Sequence, residues 1–319
     1  MTSVSPRPGI LNIKPHMLAT APASGTGPSI NLSSNESALG ASPQATAAAR
    51  TALDQMERYS EDGPALLADA IGEAFGLDPA RIVCGPGSDE LLQRLARGFL
   101  NPGDEVIHSV HGYLKFPNYA HAMGAVAVAA PDEHFRASVD GLLSCVTPGT
   151  RMVLLANPDN PTGTLLGGAE IRRLHTGLPG NVLLVLDSAY AEYVTAADYE
   201  LPVALVDSAH NVVMTRTFSK IFGMAGMRLG WLYGPPAIVD VLRRLGLTFP
   251  ISSPATAAGI AALRDVQHRA RVFAHNRDQL TGFCADLRAL GLRYLPSNGN
   301  FVLLDFAGSS HPPNRRTTF

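Results

Sequence analysis

Short apolar runs that alternate with helix-patterned segments constrain this chain more than any other feature. "RIVCG" precedes "SDELLQRLARGFL", "DEVIHSV" precedes "YLKFPNYAHAMG", "RMVLLANP" precedes "GGAEIRRLHTGL", and "NVLLVLD" comes next. Parallel strands need a crossover connection between them, and an amphipathic helix is the usual one. Strands apolar at successive positions, instead of alternate ones, are buried on both faces. The pattern therefore predicts an α/β fold with a mostly parallel central sheet and flanking helices. Ligands of such sheets gather at the carboxyl ends of the strands. The polar signals of this chain sit at those ends: "GPGSDE", "NPDNPTG", "DSAY", and "SK" after "NVVMTRTF".

Composition narrows the class of ligand. Among 319 residues, 46% are hydrophobic and 16% charged, as in globular proteins and unlike disordered chains or coiled coils. The net charge of −2 is spread without blocks of one sign, so neither nucleic acid nor an anionic membrane is an expected partner. A small-molecule ligand is. Cys84, Cys145 and Cys284 lie far apart without metal-ligand spacing, so they read as reduced core residues and no metal site is expected. Neither a leader-like start nor an apolar run of spanning length is evident, and cytoplasm is the expected location.

Residues 1–30, rich in Pro, Gly, Ser and Thr, read as an arm with little structure of its own. From about 43 to 76 the chain is rich in Ala and Leu and compatible with helix, broken by "SEDGP" at 60–64. After about 250 it turns helical again, then offers a last strand-like run, "NFVLLDF".

Several residues at the predicted strand ends could carry chemistry. Lys220 stands among Phe218, Ile221, Phe222 and Met224. An amine in apolar surroundings loses hydration of its charged form, which enlarges its neutral, aldehyde-seeking fraction. Taken alone, such a lysine reads equally as one snorkelling to the surface. "GPGSDELLQRLARGFL" places the amides near Ser88 and Asp89 at a helix N-terminus, suited to phosphate, although Ser88 by itself also reads as a simple N-cap. Its glycines do not match the G-x-G-x-x-G spacing of a dinucleotide site. Arg228 with Ser219 or Thr217 would complete a phosphate site. Asp187, at the mouth of a buried strand, needs hydrogen bonds or a cation such as a protonated ring nitrogen.

The motifs "TFSKIFGMAGMRLG", "NPDNPTG" and "DSAY" resemble those of the fold-type I pyridoxal-phosphate aminotransferases of class I/II, in the histidinol-phosphate aminotransferase branch, over roughly residues 31–304. The resemblance implies pyridoxal 5'-phosphate as cofactor and ping-pong transfer of an amino group through Schiff-base chemistry. The implied substrates are an amino donor, either histidinol phosphate or an aromatic amino acid, and 2-oxoglutarate. By the same resemblance Lys220 holds the cofactor aldehyde, Asp187 pairs with the ring nitrogen, and Asn160 and Tyr190 address the ring hydroxyl. Tyr113 stacks on the ring, while Ser88, Asp89, Thr217, Ser219 and Arg228 hold the phosphate. Tyr59, in "RYSEDGP", reaches the phosphate of a neighbouring subunit, which implies a homodimer with shared sites. Asn35 and Asn300 lie toward the substrate.

The implied organisation is an arm (1–30), a segment serving a small domain and the dimer contact (31–50), and a large cofactor-binding domain (51–248). A partial small domain (249–306) and an irregular tail (307–319) complete it. Three departures from the family pattern stand out: Gly112 where Thr is frequent, Ser188 where Glu is common, and a polar tail where relatives continue to a carboxylate-binding arginine. Arg315 and Arg316 sit in no matching motif. The expected consequence is weakened binding of glutamate or 2-oxoglutarate. Two other readings are compatible with the same lysine and aspartate: a threonine-phosphate decarboxylase relative, and a cofactor-binding protein without turnover.

Overall fold

A computed structural model describes residues 4–13 and 32–306. Its strands are β1 (Ile82–Gly85), β2 (Glu105–Ser109), β3 (Val126–Ala130), β4 (Asp132–Glu133), β5 (Arg136–Ala137), β6 (Thr150–Ala156), β7 (Leu183–Asp187), β8 (Val212–Thr217), β9 (Gly230–Tyr233), β10 (Arg293–Tyr294) and β11 (Leu304–Asp305). The helices are α1 (Pro43–Ala52), α2 (Gly63–Phe75), α3 (Ser88–Phe99), α4 (Phe116–Met123), α5 (Val139–Ser144), α6 (Gly168–Gly177), α7 (Val203–Ser208), α8 (Pro236–Leu245), α9 (Ser253–Arg264) and α10 (Val266–Ala289).

Seven strands form one sheet in the order β1-β9-β8-β7-β6-β2-β3. Pairing is parallel from β8 through β7, β6 and β2 to β3, as the alternation predicts. The exception is β9, antiparallel to both β8 and β1. Because β9 is flanked by two antiparallel partners, β1 and β8 run the same way. The carboxyl ends of β1, β2, β6, β7 and β8 thus share one edge. Every residue of β7 is buried, with Leu184 and Leu186 facing one core and Leu183 and Val185 the other. That two-sided burial is why the run is continuously apolar. The edge strand β3 carries the half-exposed "VAVAA", too weak a signal to stand out in sequence.

Helix α1 ends before "SEDGP" and α2 begins at the Gly63 of that motif, so the helical stretch breaks where the sequence suggests. Ser42 caps α1 by accepting from the Gln44 and Ala45 amides, and its hydroxyl donates to Asp265 at 2.6 Å, tying the start of α1 to the start of α10. Three expectations need adjustment. Within the expected arm, residues 10–12 form a 3-10 turn against α4, with Gly9 so close to the His121 carbonyl that a Cβ there would lie 2.4 Å from its oxygen. The division at 248/249 does not coincide with a break in packing, because Ala255, Ala258 and Ala262 of α9 share a core with Ala45 of α1 and Phe218. Of "NFVLLDF", only Leu304–Asp305 is strand, paired with Arg293–Tyr294. The tail 307–319 lies outside the described residues.

Among the described residues, no helix is long and apolar enough to cross a membrane, and no cluster of His, Cys, Asp and Glu could hold a metal. Cys84 is buried, Cys145 and Cys284 are half-buried, and none is paired.

Candidate active site

The shared edge of the sheet brings together most of the residues singled out in the sequence. Lys220 follows β8 in a turn whose apolar members, Phe218, Ile221, Phe222 and Met224, all pack into the core. They anchor the turn, and the amine itself faces backbone carbonyls: Nζ donates to Ser34 at 2.9 Å and to Asn35 at 3.3 Å. Nζ also lies 5.5 Å from the centroid of the Tyr190 ring. Burial lowers the Lys220 pKa to about 8, and the Arg228 charge adds to this, against the pull of Glu36 and Asp187.

Asp187 ends β7 opposite Thr215 of β8, whose hydroxyl donates to its carboxylate at 3.1 Å. Burial outweighs that bond and the Ala189 amide and raises the pKa to about 6, with Asp89 adding and Lys220 opposing. This carboxylate is short of positive partners, so a cation delivered to it would relieve its desolvation. The Tyr190 hydroxyl accepts from Asn35 at 3.2 Å and from Asn160 at 3.4 Å. Burial pushes its own pKa up to about 12, which keeps it neutral. Asn300 donates to the Asn35 carbonyl at 3.0 Å and to that of Glu36 at 3.2 Å, closing the segment over the amine.

An anion site lies beside this group. Helix α3 opens at Ser88 after Gly87, which has a φ of 95°, a conformation that only glycine adopts freely, and which supplies no side-chain cap. Its first amides therefore stay available. A Cβ on Gly87 would lie 2.5 Å from the Arg228 guanidinium, and one on Gly230 would lie 2.3 Å from the Ser88 nitrogen. Two glycines thus let Arg228 and the helix start converge. Ser219 is buried, and its amide donates to Thr217 Oγ1 at 3.0 Å. Asp89 enters differently than its side chain suggests. Its carboxylate is occupied by Tyr119 and by Lys115 at 3.3 Å, so toward an anion it offers its backbone N–H. Tyr113 sits edge-on to Phe116 at 5.4 Å, within electrostatic range of Asp89, Asp187 and Arg228, and burial raises its pKa.

Tyr59 is not brought to this cluster. It is 74% exposed and stacks on Phe249 at 4.1 Å. Four nearby residues escaped the sequence reading: Thr215, Tyr119, Lys115 and Asp159. Asp159 lies inside "NPDNPTG" and is held by Thr162 at 2.9 Å; burial raises its pKa to about 7. Its place in the motif was a usable signal, whereas Thr215, Tyr119 and Lys115 become visible only through strand register and helix packing.

Residues 28–311 match the aminotransferase class I and II family. This chain belongs to that family. The histidinol-phosphate aminotransferase of Rhodospirillum centenum is 49% identical over 319 residues, covering 100% of this chain and 88% of that protein. That of Granulibacter bethesdensis is 47% identical over 310 residues, covering 97% and 84%. Among solved structures, histidinol-phosphate aminotransferase from Sinorhizobium meliloti in complex with pyridoxal-5'-phosphate superposes with a TM-score of 0.80 at 33% identity, covering 85% of this aminotransferase and 74% of that chain. The residues here fit such a molecule: an amine for its aldehyde, an under-partnered acid for its ring nitrogen, and a cradle of glycine, amide and guanidinium for its phosphate.

Proposed function

We propose that this aminotransferase uses pyridoxal 5'-phosphate to move an amino group from histidinol phosphate to 2-oxoglutarate. The donor assignment rests on the named relatives at 46–49% identity. The site reading rests on one observation: Lys220, of lowered pKa, lies within electrostatic range of buried Asp187 and of Arg228, whose guanidinium meets the start of α3 at Gly87. When bound, the cofactor supplies an aldehyde that captures amines and a ring that accepts electrons.

The protein's residues do the rest. Lys220 would hold the cofactor's aldehyde and, as a free amine, would take the donor Cα proton on Nζ as base and release it as acid to the cofactor carbon that had carried the aldehyde. With a pKa of about 8, roughly a quarter of the free amine is neutral at pH 7.5, against about 0.1% for a solvent lysine. Asp187 holds positive charge at the ring nitrogen. Asn160 and Tyr190 donate to the ring hydroxyl, and Tyr113 covers the ring face. The α3 amides of Ser88 and Asp89, with Thr217, Ser219 and Arg228, hold the phosphate end. Asn35 and Asn300 border the donor. The donor leaves as a carbonyl product before the oxo acid enters, hence ping-pong kinetics.

A homodimer in cytoplasm belongs to the same reading. Tyr59 is exposed and stacked on Phe249, and with exposed Met56 and Leu247 it marks the face on which a second copy would supply the tyrosine. In this reading 51–248 form the large domain and 31–50 with 249–306 serve the small domain and dimer contact, with α9 bridging the two through the core it shares with Phe218. Borohydride reduction of the cofactor-loaded protein followed by peptide mapping is expected to leave one pyridoxyl adduct, at Lys220. No adduct, or an adduct elsewhere, would overturn the reading.

A further inference from the structure

Beneath the site, on the far face of the sheet, lies an ion pair that the chemistry above does not use. Arg216 of β8 donates through Nη2 to Glu192, and the two side chains are only 3% and 12% exposed. The guanidinium lies 4.5 Å from the Phe75 ring centroid and 5.2 Å from that of Trp231, its register partner on β9. Burying both charges is expensive, and an apolar pair of the same volume would serve stability as well. Stability alone therefore does not explain it. Its position does.

Glu192 belongs to the 3-10 turn Ala191–Tyr193, which begins directly after Tyr190 and closes through the Tyr193 amide on the Tyr190 carbonyl at 3.0 Å. Arg216 alternates with Thr215 and Thr217, which face the site. One strand thus presents site hydroxyls on one face and the guanidinium on the other. We propose that Arg216 is a positioning residue: by holding Glu192 from beneath the sheet, it fixes the turn that presents Tyr190 to the site. Among the described residues the hold runs through a single hydrogen bond, because Arg216 Nε and Nη1 have no hydrogen-bond partner there. Helix α10 packs on the same turn, and its Arg269 lies 5.9 Å from the Phe75 centroid, so the pair also sits where the last long helix meets the site.

The role rests on the proposed task of Tyr190 at the ring hydroxyl, so the test reads that hydroxyl. The visible band of the cofactor-loaded protein is titrated with pH in wild type, Tyr190→Phe, Glu192→Gln and the double variant, alongside the Tm of each apoprotein. The Glu192→Gln variant is expected to move the band's midpoint in the direction Tyr190→Phe does, by about half as much or more. The double variant is expected to move it no further than Tyr190→Phe alone, since one acts through the other. Arg216→Met, which removes the donor to Glu192 but keeps a long unbranched side chain, is expected to reproduce the shift and serves if Glu192→Gln does not fold. A lowered Tm with an unmoved midpoint, or shifts that add in full, would overturn the positioning role. A wild-type chain without a visible band would overturn the cofactor reading on which that role depends.

Discussion

Strand β7 and helix α10 are held in opposite ways. All five residues of β7 are buried, with partners on both sides of the sheet, and the strand delivers Asp187 directly to the site. Helix α10 is far longer, at 24 residues, yet buries only His268, Val272 and Leu287, while Val266 and Phe283 on it and Leu290 just after it are exposed. Its firm attachments are at its start, where Asp265 caps it and accepts from Ser42. The contrast teaches where rigidity resides. Groups that must meet within hydrogen-bond range are mounted on strand ends that cannot shift without opening two cores, and the weakly packed helix carries none of them.

The largest effect that sharpens this contrast is expected from the strand-end lysine. Lys220→Ala is predicted to lower turnover at least about 10⁴-fold, since nucleophile and proton carrier vanish together, while the apoprotein Tm stays near wild type. In wild-type apoprotein, labelling of Lys220 by an added aldehyde should rise with pH and level off above about 8. A midpoint near that of an ordinary solvent lysine would deny the burial argued for Lys220.

Asp187→Asn separates function from stability. It is expected to cost roughly 10²- to 10³-fold in kcat/KM while stabilising the apoprotein. The sign follows from the raised pKa of about 6. An acid whose folded pKa exceeds its unfolded one gives stability at low pH that is lost as pH rises through the folded value. Between the unfolded pKa and about 6 the apoprotein should lose about 3 kcal/mol, which the asparagine variant avoids. Denaturant curves at pH 4 and pH 8 check this. Equal pH dependence in both proteins would mean that the carboxylate is better solvated than its position in β7 indicates.

Within the core, Leu186→Ala should cost about 2 to 5 kcal/mol, because the side chain is 1% exposed in the middle of the sheet. That value tests the fold, which was the most legible part of the sequence. The runs that became β6 and β7 hold four or more successive apolar residues, and alternation with helical segments marks β2 in the same way, so their burial and direction follow from pattern alone. β9 is only four residues, and its antiparallel course depends on pairing with strands remote in sequence. At the site, Lys220, Asp187 and Asn160 could be read because each sits in a motif at a strand end. Thr215 could not, since an internal strand residue acquires its role only from register with Asp187. Asp89 shows the converse: its position was legible, but the commitment of its carboxylate to Tyr119 and Lys115 belongs to the packing of α3 on α4.

The smallest effect is expected at Phe283. Half of its surface is exposed, so a serine there removes less buried area than a core substitution and should cost about 1 kcal/mol. Hydrogen exchange makes the same comparison without mutation. Amides in the later turns of α10 should exchange through local opening, well before those of β7, which require global unfolding. The first turn, held by Asp265 and Ser42, should lie between the two. If Phe283→Ser instead lowered the midpoint of unfolding as much as Leu186→Ala, α10 would be covered in solution by a surface that a single chain does not provide. The face around Phe283 would then belong with the strands, among the parts of the molecule whose packing the site depends on.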